Sequence, residues 1–201
     1  MVKLNRIVTR AGDDGRTSLG DGTIAHKADS RVQAIGDVDE ANACLGVARL
    51  DASPDLSDTL LRTQNDLFDL GADIAALERD GLKVERLRVV DAQVDWLEAR
   101  IEAVNATLPP LDSFVLPGGD AVTARLHLAH TVVRRAERSL SALAFGAPVN
   151  PVALRYLNRL SDLLFVLARA QARASGVETL WRPGLHGERD VETGPGIAKL
   201  D

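Results

Sequence analysis

Apolar residues recur three and four apart along most of the chain, and each interruption carries a stop or start signal. Helical patterning begins near Ser30, a candidate N-cap, and runs to about Leu50. Ser53-Pro54-Asp55 then offers a cap, a proline at the first helical position and an acid in the first turn, a combination that starts helices. The second helix carries Leu56, Leu60, Leu67, Leu70, Ile74 and Leu77 on one stripe and is expected to stop at Asp80-Gly81. The spacing predicts a third helix over roughly Glu85 to Ala106, with Leu87, Val90, Val94, Leu97, Ile101 and Val104 inward, stopped by Pro109-Pro110. Leu111 to Gly119 reads as a loop. A fourth helix runs from about Asp120 to Phe145 on a seam of Leu126, Ala129, Val133, Ala136, Leu140 and Leu143, and Gly146 and Pro148 break it. A fifth covers about Val149 to Ser175, with Leu157, Leu160, Leu164 and Leu167 inward.

Five amphipathic helices on short connections predict an all-α fold, a five-helix antiparallel bundle. Residues 1–30 lack a helical period, and Gly12, Gly15, Gly20 and Gly22 among Asp, Ser and Thr mark a loop. The expected organisation is one domain: residues 1–30 as an N-terminal loop, 31–175 as the bundle, and 176–201 as a Gly-, Pro- and charge-rich tail expected to be partly disordered. Aromatic residues are only 3% of the chain, which favours helices over sheets.

A net charge of −5 argues against wholesale nucleic-acid binding, while the local clustering of arginines suits a small anion. The one cysteine, Cys44, excludes an intrachain disulfide, fits a reducing compartment and reads as a small core residue. No apolar run approaches the ~20 residues of a membrane span, and Met1 to Gly20 holds no signal-peptide core. A cytoplasmic protein is expected.

Two separated regions carry candidate chemistry. Thr9 to Leu19 (TRAGDDGRTSL) combines glycines that let backbone N–H groups converge on an anion with the hydroxyls of Thr17 and Ser18 and the charges of Arg10 and Lys27. It lacks the P-loop lysine pattern, and a plain surface turn would use the same residues. On the fourth helix His127, His130, Arg134 and Arg138 fall on one stripe, with Glu137 beside it. Guanidinium forks there suit phosphate oxygens, although a solvated face with ion pairs gives the same pattern. Asn158 and Asp162 lie between Arg155 and Arg159 on the fifth helix, either as part of that site or as a surface network. Asp37, Asp39, Glu40 and Asn42 on the first helix read better as structural pairing, Asp39 with a base on another helix, than as a metal cluster. His127 and His130 lack a third ligand at usual spacing. No nucleophile–base dyad is visible, so the nucleophile of any reaction would come from a substrate.

These segments, with GDVDEAN (Gly36–Asn42), SFVLPGG (Ser113–Gly119), RRAER (Arg134–Arg138) and YLNRLSDLLF from Tyr156, resemble the PduO-type ATP:cob(I)alamin adenosyltransferases in order from about Thr9 to Ala170. The resemblance implies a ferritin-like, cobalamin adenosyltransferase-like bundle with an N-terminal nucleotide-binding loop. It also implies a homotrimer with ATP at the subunit interface. Thr9, Arg10, Ala11, Gly12, Thr17, Ser18, Lys27, Arg134, Arg135, Ala136, Glu137, Arg138 and Asn158 would contact ATP, with Mg²⁺ held chiefly by the phosphates rather than by a protein cage. Phe114 matches the aromatic that lines the corrin pocket, and Arg134, Asp39, His130 and Phe114 are the implied catalytic set. Cob(I)alamin would attack the 5′ carbon of ATP, giving adenosylcobalamin and triphosphate. A reductase would supply the reduced corrin, and a cobalamin-dependent mutase or dehydratase would take the product. One departure stands out: His130 occupies a place where the family usually carries an arginine paired with the aspartate matching Asp39, and Asp39 and His130 are expected still to pair, more weakly and with pH dependence. That departure leaves open a nucleotide-gated cobalamin carrier with weak or no catalysis. A plain helical interaction protein is the third reading.

Overall fold

The structure, a computed structural model, describes residue 8, residues 10–77 and residues 87–186. Five helices follow a small hairpin: β1 (Arg16–Ser18), β2 (Ile24–His26), α1 (Ser30–Arg49), α2 (Pro54–Ala75), α3 (Asp91–Asn105), α4 (Ala121–Gly146) and α5 (Pro151–Ala174). Ser53 caps α2 as its sequence signal predicts, whereas the cap of α1 is Asp29 and not Ser30, which is the first helical residue. Asp29, Ser53, Asp120 and Asn150 each accept a backbone N–H from the first turn of α1, α2, α4 and α5. Proline opens both α2 and α5.

Cross-helix bonds give the directions. Asp37 meets Ser139 while Asp51 meets Arg125, so α1 and α4 run antiparallel. Asn158 meets Glu137 while Gln171 meets Asp120, so α4 and α5 do too. The predicted seams of α2, α4 and α5 form the core, with Leu60, Leu70, Leu126, Leu140, Leu157 and Leu160 fully excluded from water. Each such leucine contributes roughly 1.5–3 kcal/mol. Cys44 sits half-buried at the edge of this core, and burial pushes its thiol pKa up.

Among the described residues buried His127 Nε2 has no hydrogen-bond partner, whereas Arg31, Tyr156 and Asp66 inside the bundle are paired. Buried Arg31 donates to the Ile74 carbonyl at 2.6 Å and reaches Pro148 at 3.4 Å, tying the start of α1 to the end of α2 and the entry to α5. Fully buried Tyr156 donates to Asp66 at 3.0 Å, which also accepts Gln93 at 2.9 Å.

Four elements depart from the sequence reading. The N-terminal region is not all loop: Arg16, Thr17 and Ser18 pair antiparallel with His26, Ala25 and Ile24. Strands of three residues are too short to show an alternating pattern. The third helix starts at Asp91, so Leu87 and Val90 are exposed and Val89 is buried instead. The cause is Asp73, whose carboxylate accepts the Val89 N–H at 2.9 Å while Asn150 donates to the Val89 carbonyl at 2.8 Å, holding this stretch extended. The stop expected at Asp80-Gly81 lies outside the described residues, and α2 ends at Ala75. Finally, the tail begins as an ordered strap, with Leu180 bridged antiparallel to Val115.

Candidate functional site

The hairpin shapes one cleft. Gly15 turns the chain at φ +82°, a conformation that favours glycine, and its carbonyl accepts the Lys27 N–H at 2.8 Å. The Lys27 ammonium lies across the turn and donates to the Gly12 carbonyl at 2.7 Å. A cleft of about 460 Å³ results, lined by Ala11, Gly12, Arg16, Thr17, Ser18 and Lys27, with Asp14 and Ile24 completing the wall. Arg10 is exposed beside it in a positive-φ conformation and does not line it. Thr9 lies outside the described residues. Asp14 and Arg16, which the motif did not single out, form an ion pair at 2.6 Å; this pair holds the Asp14 carboxyl below its usual range. The hairpin is joined to the end of α2 by the Gly20 N–H and the Ala75 carbonyl at 3.1 Å.

A second cleft, of about 550 Å³, opens along α4 and α5 between Arg134, Glu137, Arg138, Ser141, Ala142, Phe145 and Asn158. Glu137 accepts the Asn158 amide at 3.0 Å, which fixes both side chains at its floor. Arg134 is exposed, and its guanidinium makes no hydrogen bond or ion pair among the described residues. Arg138 donates to the Arg134 carbonyl at 3.1 Å. Two charges with free donors face open space, as phosphate oxygens require.

The contiguous run from Arg134 to Arg138 does not act as one patch, because successive helical residues point 100° apart. Ala136 is fully buried in the core. Arg135 faces α1, where it pairs with Glu40 and lies 3.6 Å from Asp37. Neither lines this cleft in the protomer.

The histidines also leave the stripe. His127 is buried, and burial, with neighbouring His130, lowers its pKa. His130 turns Nδ1 to the Ser161 carbonyl at 2.9 Å and its ring toward Phe165. Asp39 is exposed on α1 and makes no bond to His130 within the protomer, so the expected pair is not formed there. Asp162 is pushed up by desolvation and lies 3.8 Å from Arg159.

Phe114 is 74% exposed, with the Trp181 ring 6.0 Å away. It sits before the N-terminus of α4, whereas the hairpin lies at the bundle end where α1 starts and α2 stops. The two clefts share no lining residue. Among the described residues no group of three or more His, Cys, Asp or Glu side chains could hold a metal ion, and no helix is long and apolar enough to cross a membrane.

Comparison with known proteins places this arrangement. Residues 7–171 match the profile of the cobalamin adenosyltransferase family. The chain is 49% identical over 187 residues to a corrinoid adenosyltransferase of Mycobacterium tuberculosis, covering 91% of this chain and 96% of that protein. It is 44% identical over 183 residues to a cobalamin adenosyltransferase of Cupriavidus metallidurans, covering 90% and 96%. Its fold matches a variant PduO-type ATP:corrinoid adenosyltransferase from Lactobacillus reuteri, complexed with cobalamin and ATP. That match has a TM-score of 0.83 and 33% identity, over 89% of this chain and 97% of that one.

Proposed function

The chain belongs to the cobalamin adenosyltransferase family, and we propose how its two clefts carry out that family's reaction. The protein is an ATP:corrinoid adenosyltransferase of the PduO type: it moves the 5′-deoxyadenosyl group of ATP to cob(I)alamin. In that step the cobalt electron pair forms a bond to C5′, the C5′–O bond breaks, and its electrons leave on triphosphate. Cobalt is oxidised by two electrons, and no outside base is consumed. The absence of a nucleophile–base dyad in the sequence agrees with a substrate that is itself the nucleophile.

The protein's part is then placement and charge. Arg134 and Arg138 stabilise the charge that grows on the leaving triphosphate. The uncommitted guanidinium of Arg134 is the observation that carries this assignment. Glu137 and Asn158, locked to one another, orient the nucleoside side. Lys27, Gly12, Thr17 and Ser18 wrap the far phosphates, with Thr9, Arg10 and Ala11 next to them in sequence. Mg²⁺ would be held chiefly by the phosphate oxygens, which suits a hard cation and a cleft without a carboxylate cage. The exposed ring of Phe114 covers one face of the corrin and excludes water from the cobalt.

The hairpin cleft of one subunit closes on the α4–α5 cleft of its neighbour in a homotrimer. Support comes from the separate linings of the two clefts and from apolar side chains left bare at Val47, Leu50, Leu61, Phe68 and Leu128. Asp39, unpaired in the protomer, reaches His130 of the neighbour, a titratable substitute for the usual arginine fork. A single free thiol fits residence in the cytoplasm, where a reductase supplies reduced corrin and a mutase or dehydratase takes the product. The test is anaerobic mixing of protein, MgATP and cob(I)alamin. Appearance of the adenosylcobalamin spectrum with one triphosphate per cobalt supports the assignment; tight binding of both substrates without the spectral change overturns it in favour of a carrier.

A further inference from the structure

Phe114 presents a bare ring on a pinned backbone. The Trp181 N–H donates to the Phe114 carbonyl at 2.7 Å, the Leu116 N–H to the Thr179 carbonyl at 2.9 Å, and the Ser113 hydroxyl to the Trp181 carbonyl at 2.6 Å. Residues 113–116 and 179–181 thus form a short antiparallel pairing centred on Val115 and Leu180. Beside the Val177 N–H bond to the Ala172 carbonyl at 2.8 Å, one carboxylate ties the strap they share to the last turns of α5. Glu178, whose side chain is 10% exposed, accepts Arg169 at 3.1 Å and Arg173 at 2.8 Å. Arg169 is 4% exposed and donates also to the Pro109 carbonyl at 3.0 Å, where the Phe114 loop begins. At the other end of the loop Gly119 holds φ +102°, and a Cβ there would lie 3.0 Å from Val177 Cγ2. The loop is therefore fixed at its start, middle and end by the strap or by the arginine that anchors it.

We infer that Glu178, through its bonds to Arg169 and Arg173, is a positioning residue that sets the height and tilt of the Phe114 ring against the corrin substrate. This rests on the placing of Phe114 in the corrin pocket. An exposed ring has few side-chain contacts to hold it, so its position must come from the backbone beneath. Loss of the Glu178 charge leaves buried Arg169 without its carboxylate and frees the strap from its ionic tie to α5. The loop and strap remain hydrogen-bonded to each other and move as a unit, carrying the ring with them. A displacement near 1 Å at a reacting centre costs on the order of 100-fold.

The experiment is a double-mutant cycle on the full chain with Glu178→Gln, Phe114→Ala and the pair. Glu178→Gln is expected to lower kcat/KM for reduced cobalamin by about tenfold or more, within the cost of such a displacement, and to leave the KM for ATP within about twofold. In the Phe114→Ala background the same change should add nothing. Acrylamide quenching of Trp181, read in a Trp96→Phe chain without substrates, should rise with Glu178→Gln. An equal loss in both backgrounds, or unchanged kinetics, or unchanged quenching overturns the inference. If Glu178→Gln fails to fold, Arg173→Gln removes one of the two bonds from a more exposed side chain, and the same cycle and quenching apply with smaller effects. A wild-type protein that forms no cobalt–carbon bond would sink the functional assignment, whereas the quenching arm tests the strap without any corrin present.

Discussion

Replacing Arg134 with alanine isolates transition-state electrostatics from folding. The side chain is exposed and makes no hydrogen bond or ion pair among the described residues, so its removal should change stability by less than about 0.5 kcal/mol. Its effect on the reaction follows from charge. A guanidinium about 4 Å from a full unit charge, at an effective permittivity near 20, contributes about 4 kcal/mol. With roughly half a charge developed on the leaving triphosphate the loss is about 2 kcal/mol, or some 30-fold in kcat. Arg134→Lys should fall between, because the ammonium keeps charge without the fork. The assay is steady-state formation of adenosylcobalamin at saturating ATP, with a thermal melt on the same sample. Near-normal turnover would mean that the ridge only decorates the bundle. A defect confined to the KM for ATP would show uniform binding rather than stabilisation of the leaving group.

Other outcomes are equally checkable. Tyr156→Phe leaves buried Asp66 without its phenol donor and should cost about 1–3 kcal/mol, seen as a lower urea midpoint at unchanged slope; an unchanged midpoint would mean Gln93 alone satisfies Asp66. Gly119→Ala meets both the positive φ and the close approach of Val177, and should destabilise by about 1–3 kcal/mol, measured the same way. Asp120 is held well below the usual carboxylate range by the Ser175 hydroxyl, the Thr123 N–H and Gln171. A depressed folded value stabilises fully above the unfolded pKa of about 3.9 and loses that contribution as pH falls through the folded value. The stability gap between wild type and Asp120→Asn should therefore be flat from about pH 5 to 8 and shrink below about 4; a gap that widens on acidification would contradict this.

The helices were legible because leucine and alanine seams at three and four residue steps survive any reading frame error of a residue or two. Long α4 and α5 show this best, each seam position being buried. What escaped was set by partners distant in sequence. Nothing local to Leu87–Val90 says that Asp73 and Asn150 will hold it extended. The strap after Gly176 has the composition of a loose tail, and its order comes from arginines on α5 and a loop some 65 residues away in sequence, Val115 to Leu180. The site was legible as motifs but not as faces. Arg134 and Arg138 face the cleft, whereas Arg135 and Ala136 between them turn to α1 and the core. Asp39 and His130 were paired by resemblance, and the protomer leaves them apart.

The central claim is that the hairpin of one subunit and the arginine ridge of another close on the same triphosphate. Co-assembling the two disabled chains Lys27→Ala and Arg134→Ala tests it, after denaturing and refolding them as an equal mixture. Random pairing should restore about a quarter of wild-type activity, since half the hairpins and half the ridges are intact and meet independently. Activity no greater than the sum of the two variants refolded alone would contradict a site shared between subunits.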